Sequence, residues 1–394
     1  MSLSSTPASE RIHIAFFGKR NAGKSSIINA VTSQNLSIVS DVKGTTTDPV
    51  LKTMELLPIG PVVIIDTPGT DDIGELGKMR VEKTFQILAK TDIAVIVIGS
   101  NEGKTDDDNE LIERIKEKNI PYILCYNKCD LKRIAPENDN EICVSAKNNE
   151  NINELKELIA RQITPEKKKQ IVSDLLSEGD TAVLVVPIDS GAPKGRLILP
   201  QQQTIRDLLE GGNICITVRD TELKKTLEMF GDKVKVVITD SQAFGYVSKI
   251  VPEDMPLTSF SILFLRYKGE LDYAVDGVKK LDSLCDGDTV LICEGCTHHR
   301  QCDDIGTVKM PKWIENYTGK KLNFKFTSGT QFPDDLSGYA LVVHCGGCML
   351  NEREMKNRIK CAKMQNTPMT NYGVAIAYMN KILKRCVKPL GIDL

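Results

Sequence analysis

The chain has 394 residues, of which 41% are hydrophobic and 26% are charged, a composition typical of a globular protein of about three domains. Its 51 basic and 53 acidic residues give a net charge of −2, which argues against a protein held on nucleic acid by a broadly basic surface. No apolar run approaches the roughly 18 residues of a membrane helix, and the polar first ten residues carry no secretory signal. We therefore expect a cytoplasmic protein that binds neither nucleic acid nor membrane.

Short apolar runs alternate with helical patterns over residues 11–163, which predicts a doubly wound, mainly parallel sheet. The predicted strands are Ile12–Phe17, Val62–Asp66, Ile93–Ile98, Tyr122–Tyr126 and Ile142–Val144, with helices such as Lys24–Thr32 and Asp107–Lys118 between them. The charged, proline-containing stretch at 164–169 then predicts a boundary, so that the first domain covers residues 1–165.

A glycine-rich sequence follows the first predicted strand and opens a helix. Residues 18–25 read GKRNAGKS and match the phosphate-binding pattern G-x-x-x-x-G-K-[ST]. Backbone N–H groups around Gly23 can surround phosphate oxygens, Lys24 can reach the β- and γ-phosphates, and the Ser25 hydroxyl can bind Mg²⁺. At the end of a later strand, Asp66 can hold the same Mg²⁺ through water, and the Gly69 N–H can meet the γ-phosphate.

Two further strand ends carry residues suited to a guanine base. The Asp130 carboxylate suits the N1–H and the exocyclic amine of guanine, whereas adenine offers an acceptor at the first position and lacks the second group. A backbone N–H near Ala146 can reach the guanine oxygen. The motifs therefore predict GTP as the nucleotide, with the base held by Asn127, Lys128, Asp130, Ser145 and Ala146.

These four motifs resemble those of the tRNA-modification and ribosome-assembly GTPases, over residues 11–163. The resemblance implies a P-loop GTPase fold in which Thr46, in the switch-like sequence GTTTD, is a second Mg²⁺ ligand and acts with Lys24 and Gly69 in catalysis. Asn21 matches an asparagine that supports a K⁺ ion in that group, so slow, potassium-stimulated hydrolysis is implied. Thr70 stands where Ras-like enzymes have a water-positioning glutamine, and the residue that orients the water stays open.

Two more α/β alternations follow in the chain. The first, over residues 170–264, has predicted strands Ala182–Val186, Asn213–Val218 and Val234–Ile238, helices Gln203–Leu209 and Thr221–Phe230, and then the run Ser261–Leu265. The second, over residues 265–394, has strands Thr289–Cys293, Leu322–Phe326 and Ala340–His344 and helices Tyr273–Leu284, Glu352–Met364 and Gly373–Arg385. The whole chain is therefore predicted to be three consecutive α/β domains.

Eight of the twelve cysteines fall between Cys285 and Cys386, and four of the eight form two clusters that end apolar strands, Cys293 with Cys296 and Cys345 with Cys348. Buried, unliganded thiols are one interpretation. A structural zinc site built from two C-x-x-C pairs is another, although the interval between the pairs exceeds the roughly 15–20 residues of usual zinc ribbons. The third is a 4Fe–4S cluster that is one cysteine short and therefore open to exchange; its thiolates would come from Cys296, Cys345 and Cys348.

The pattern Cys-x-His…His-Cys-x-x-Cys at 296–348, joined to a GTPase and to the segment 187–209, resembles the HydF family of FeFe-hydrogenase maturation GTPases. The resemblance implies a homodimeric scaffold whose residues 170–264 mediate dimerisation and whose residues 265–394 bind a 4Fe–4S cluster. It implies that a diiron precursor arrives from radical-SAM enzymes, is held transiently, and passes to apo FeFe-hydrogenase. The open alternative is a tRNA-modification or ribosome-assembly GTPase with a structural zinc site.

The fourth position of such a cluster stays open in the sequence. Candidates are water, the precursor itself, or a side chain of Asp189, Glu294, His298 or His344.

Overall fold

The computed structural model describes residues 6–32, 50–57, 59–69, 86–163, 169–188, 197–296, 304–329 and 331–394. The chain divides into two compact units, Met1–Glu166 and Lys167–Leu394. Among the described helices, none combines the length and apolarity that a membrane crossing requires.

A six-stranded sheet forms the first unit, in the order β2-β3-β1-β4-β5-β6. Among the strands of the described residues in this sheet, only β2 is antiparallel to its neighbour. Hydrophobic clusters cover both faces of the sheet, which is why its central strands are nearly continuous apolar runs. The strands are β1 Ile12–Phe17, β2 Val50–Leu56, β3 Gly60–Asp66, β4 Ile93–Gly99, β5 Tyr122–Asn127 and β6 Glu141–Cys143. The helices are α1 Lys24–Thr32, α2 Asp106–Glu117 and α3 Ile152–Gln162, and residues 86–90 are also helical.

Two parallel four-stranded sheets build the second unit, in the orders β10-β9-β7-β8 and β12-β11-β13-β14. A single hydrophobic cluster contains buried residues of both sheets. The strands are β7 Thr181–Val185, β8 Ile214–Val218, β9 Val234–Thr239, β10 Leu257–Ser259, β11 Thr289–Glu294, β12 Asn323–Ser328, β13 Leu341–His344 and β14 Met369–Asn371.

The helices of the second unit connect these parallel strands. They are α4 Leu199–Glu210, α5 Leu223–Phe230, α6 Phe244–Ile250, α7 Phe260–Lys268, α8 Leu271–Gly277, α9 Met310–Thr318, α10 Glu352–Met364, α11 Tyr372–Met379 and α12 Leu383–Val387. Helix α7 begins where the Ser259 hydroxyl accepts from the Ile262 N–H, an N-cap that turns the apolar run after β10 into a helix.

The α/β class, the mainly parallel first sheet and the further α/β sheets are confirmed. The expected helix Gly373–Arg385 is instead two helices, α11 and α12, separated by a turn in which Lys381 has φ +59°. The boundaries of the three predicted domains stay predictions, and residues 164–168 lie outside the described residues.

Candidate functional site

The phosphate-loop motif lies between β1 and α1, in the expected strand-loop-helix order. Gly18 has φ +139°, and a Cβ there would lie 2.2 Å from the carbonyl oxygen of Val97 on β4, so a side chain cannot be accommodated. The buried ammonium of Lys24 donates to the carbonyl oxygens of Gly18 and Lys19, each at 2.8 Å. Lys24 therefore closes the loop in which phosphate oxygens would bind.

Ser25 and Asp66 form a pair of oxygen donors beside this loop. The Ser25 hydroxyl donates to Asp66 Oδ2 at 2.7 Å. Burial raises the pKa of Asp66, against the opposing effects of the Ser25 hydrogen bond and the Lys24 charge. A hydroxyl and a carboxylate are the hard oxygen ligands that Mg²⁺ prefers, so this pair fits that ion.

Asn127, at the end of β5, connects the phosphate loop to the loop after β6. Its Nδ2 donates to the Ala22 carbonyl oxygen at 3.0 Å, and its Oδ1 accepts from the Ala146 N–H at 3.1 Å. The next residue, Lys128, has φ +67°, and its carbonyl oxygen accepts from the Ser100 hydroxyl at 2.8 Å. The two loops expected to bind the base are therefore fixed to each other and to the phosphate loop.

Asp130 lies at the exposed side of the same site. The Ser145 hydroxyl donates to Asp130 Oδ1 at 2.7 Å, and this hydrogen bond is the main cause that lowers the pKa of the carboxyl. Asp130 is therefore oriented and ionised, as recognition of two N–H donors on one base edge requires.

The described members of the predicted phosphate, magnesium and base sites thus lie at one edge of the first sheet. This edge is formed by the carboxyl ends of β1, β3 and β5 and the loop after β6. Gly69 is also described, three residues after Asp66, and Asn21 has φ +57° in the phosphate loop. Thr46 lies outside the described residues. Sequence reasoning missed Ser100, whose role depends on a contact across two neighbouring strands.

The cysteine motifs end two neighbouring parallel strands, β11 and β13, where Cys293 pairs with His344. The Cys345 N–H donates to the Cys293 carbonyl oxygen at 2.8 Å. The Cys345 sulfur accepts from the N–H of Gly295 at 3.1 Å and of Gly347 at 3.4 Å. The sulfur therefore lies between the two motif loops. One of its donors, Gly295, is the residue that directly precedes Cys296 in the chain.

Cys348 lies at the other end of the same loop, against helix α7. Burial raises the pKa of its thiol to about 12; the neighbouring Cys345 adds to this effect and Lys268 opposes it. Lys268 is buried, and its ammonium donates to the carbonyl oxygens of Leu350 at 2.9 Å and Cys348 at 3.3 Å. At the start of α7, Ser261 is close enough to Gly346 that a Cβ there would lie 3.3 Å from it. Helix α7 therefore underlies the whole Cys345–Cys348 loop.

The candidate fourth ligands are placed differently from one another. His344 is fully buried, with Nδ1 2.8 Å from the Cys345 carbonyl oxygen and Nε2 2.9 Å from Arg358 Nη1. Burial, reinforced by the Arg358 charge, lowers its pKa to about 3. Glu294 is buried and accepts from the Tyr372 hydroxyl at 3.4 Å. Asp189 and His298 lie outside the described residues.

Among the described residues, no group of three or more His, Cys, Asp or Glu side chains is arranged to hold a metal ion. The donors present nevertheless fit an iron–sulfur cluster in their chemistry. Two thiols share one short loop, and backbone N–H groups point at one of the sulfurs, as they do towards cluster-bound thiolates. Lys268 and Arg358, two buried cations that sequence reasoning missed, lie beside this loop.

Three family models match the chain. Residues 171–269 match the hydrogen maturase F dimerization domain and residues 272–389 the hydrogen maturase F tetramerization domain, which together span more than half of the chain. Residues 13–128 match a model described as a 50S ribosome-binding GTPase.

Individual relatives match the first unit. The tRNA modification GTPase MnmE of Dechloromonas aromatica is 32% identical over 158 residues, or 38% of this chain and 34% of that protein. MnmE of Clostridioides difficile is 34% identical over 165 residues, or 39% and 35%. The chain thus spans about a third of the length of these relatives. A crystal structure of Aquifex aeolicus Era bound to GDP·AlF4⁻ aligns with 19% identity and a TM-score of 0.36, covering 56% of this chain and 98% of that one.

Proposed function

Because the chain belongs to the hydrogen maturase F family and carries a GTPase domain, we propose that it is a GTP-regulated scaffold for hydrogenase maturation. In this proposal it binds a 4Fe–4S cluster, receives a diiron precursor from radical-SAM enzymes and delivers that precursor to apo FeFe-hydrogenase. The observation that carries the proposal is the Cys345 sulfur, which accepts from two N–H donors between the two cysteine motifs, inside the segment that the hydrogen maturase F tetramerization model matches.

The nucleotide half would bind and hydrolyse GTP. Lys24 would exchange the Gly18 and Lys19 carbonyl oxygens for β- and γ-phosphate oxygens, while Asp130 and Asn127 would select and orient the guanine. Ser25, Asp66 and Thr46 would hold Mg²⁺, which neutralises phosphate charge when bound. The Gly69 N–H would meet the γ-phosphate, and Asn21 would support K⁺, so we propose slow hydrolysis that is faster in potassium than in sodium.

The cysteine half would hold the cluster through Cys296, Cys345 and Cys348. A cluster with three cysteine ligands leaves one iron open, which suits exchange of a cargo better than a permanent structural role. The candidates for the open position are water, the precursor, and the side chains of Asp189, Glu294, His298 and His344. The matched dimerization and tetramerization models support self-association of the chain as a homodimer or a larger assembly.

Anaerobic reconstitution with iron and sulfide, followed by EPR spectroscopy of the reduced protein, tests the proposal. We expect a 4Fe–4S signal in the wild type that is lost in Cys345→Ala and kept in Cys285→Ser, which changes an exposed thiol elsewhere. The absence of a signal in the wild type, or an unchanged signal in Cys345→Ala, would refute the cluster assignment. Stoichiometric zinc in the purified wild type would instead favour a structural zinc site.

A further inference from the structure

Arg358 is a buried cation directly behind the Cys345–Cys348 loop, which we call the cysteine loop. It lies on α10, the helix that follows the loop, and is only 1% exposed. Its Nη2 donates to Glu354 Oε1 at 2.6 Å and to the Gly329 carbonyl oxygen at 2.7 Å, and its guanidinium carbon lies 5.3 Å from the centre of the Phe332 ring. These contacts fix the guanidinium so that Nη1 points at His344.

The two hydrogen bonds of His344 require the same proton arrangement. A guanidinium can only donate, so Nε2 of His344 must accept from Arg358. A carbonyl oxygen can only accept, so Nδ1 must carry the proton that it donates to Cys345. His344 is therefore the neutral tautomer protonated at Nδ1, and both ring nitrogens are used.

The hydrogen bond from His344 helps to fix the backbone of Cys345. Its carbonyl oxygen is held by His344 and its N–H by the Cys293 carbonyl oxygen. The residue is thus fixed on both sides, while its sulfur faces the N–H groups of Gly295 and Gly347.

We propose that Arg358 is a positioning residue for the cysteine loop: it locks His344 as a hydrogen-bond bridge to Cys345 and thereby excludes His344 from the open position of the cluster. The inference rests on the proposed function, because it assigns a role to these residues towards that cluster. It resembles the way in which outer-shell groups orient metal ligands elsewhere, where their loss weakens metal binding about 10- to 100-fold.

The test uses the full-length chain and three variants. Arg358→Lys keeps the charge but loses the two-pronged donor geometry, and His344→Asn removes the imidazole while leaving the Arg358–Glu354 ion pair in place. Arg353→Lys makes the same chemical change on the same helix and is the matched control. Should Arg358→Lys fail to fold, His344→Asn supplies the same cluster readouts.

The first readout needs no cluster. In apo protein labelled with ¹⁵N-histidine, which contains only four histidines, we expect NMR to find His344 protonated at Nδ1. The tautomer should change or become mixed in Arg358→Lys and stay unchanged in Arg353→Lys.

The second readout is cluster retention after reconstitution, measured by titration with an iron chelator. We expect the apparent affinity to fall about 10- to 100-fold in Arg358→Lys and in His344→Asn, with no further loss in the double variant because both act through one bridge. Pulsed EPR of the ¹⁵N-labelled protein should detect no nitrogen of His344 bound to iron.

Two results would overturn the inference and leave the proposed function standing. One is a directly bound nitrogen signal that disappears in His344→Asn. The other is a wild-type tautomer together with normal cluster retention in Arg358→Lys. Failure of the wild type to take up any cluster would instead refute the proposed function, and the apo tautomer would still decide whether Arg358 locks His344.

Discussion

A Cβ atom at Gly23 would lie 2.2 Å from Nδ2 of Asn127. The phosphate loop and the base-binding loop that begins at Asn127 therefore meet at a position where only glycine fits. Gly23 also has φ +92°, which L-residues with side chains rarely adopt. Asn127 in turn bonds Ala22 and Ala146. A change at Gly23 would therefore disturb both halves of the nucleotide site at once.

We predict that Gly23→Ala weakens GTP binding at least about tenfold, because the new methyl group displaces Asn127 in addition to straining the backbone. Gly103→Ala is the matched control: Gly103 has φ +75° in the same unit but open space around it. Titration with a fluorescent GTP analogue measures both variants. If both variants lost the same affinity for the analogue, backbone strain and not the displacement of Asn127 would explain the loss.

We predict that Ser145→Ala weakens GTP binding about fivefold at neutral pH, the effect of one ordinary hydrogen bond. Without the Ser145 hydroxyl, the pKa of Asp130 rises towards its ordinary value. Because the ionised carboxylate binds guanine, GTP binding should then be lost at a higher pH during acidification than in the wild type. Affinities measured from pH 7 down to about pH 3 give both profiles, because the ordinary pKa of an aspartate is about 3.9. Ser283→Ala, an exposed hydroxyl in the other unit, should leave the profile unchanged.

We predict that Asp66→Asn stabilises the nucleotide-free protein at pH 7 while abolishing the Mg²⁺ dependence of GTP binding. Burial raises the folded-state pKa of Asp66, so the folded state holds more protons than the unfolded state between the two pKa values. Stability therefore falls as pH rises from about 3.9 through the folded-state pKa. Asp66→Asn removes this loss but keeps an acceptor for Ser25.

Thermal melts of the apo protein between pH 4 and pH 7 test this prediction, with Asp107→Asn as a surface control. A lower melting temperature for Asp66→Asn at pH 7 would contradict it.

We predict that Lys268→Met destabilises the second unit by about 1–3 kcal/mol, because the carbonyl oxygens of Cys348 and Leu350 lose a shared buried donor. Denaturant unfolding of the apo protein measures the loss. Lys249→Met removes an exposed lysine of α6 and should change stability little. A normal unfolding midpoint for Lys268→Met would mean that water replaces the ammonium.

The nucleotide site was accessible from the sequence because its residues lie in short contiguous motifs, each at the end of an apolar strand. Parallel strands bring such ends to one edge of a sheet, so the order of motifs predicts their meeting. The bonds from Asn127 to Ala22 and from Ser25 to Asp66 join residues far apart in the chain, and no local pattern encodes them.

The surroundings of the cysteine loop were less predictable. Lys268 and Arg358 lie on helical segments that carry other charged residues, and only packing reveals that these two cations are buried. Strand β2 has mostly exposed or half-buried side chains, and β10 and β14 have three residues each, so none produces an apolar run long enough to recognise.

Helix α7 belongs to the segment matched by the dimerization model. It nevertheless packs directly under the Cys345–Cys348 loop, which belongs to the segment matched by the tetramerization model. Ser261 meets Gly346 at one end of this helix, and Lys268 binds the Cys348 carbonyl oxygen at the other. The segments matched by the two models therefore cannot be exchanged independently of each other. In a chimera joined at Gly269, helix α7 would come from one protein and the Cys345–Cys348 loop that packs on it from another. Recombination between relatives should therefore succeed only where α7 and residues 345–350 come from the same parent.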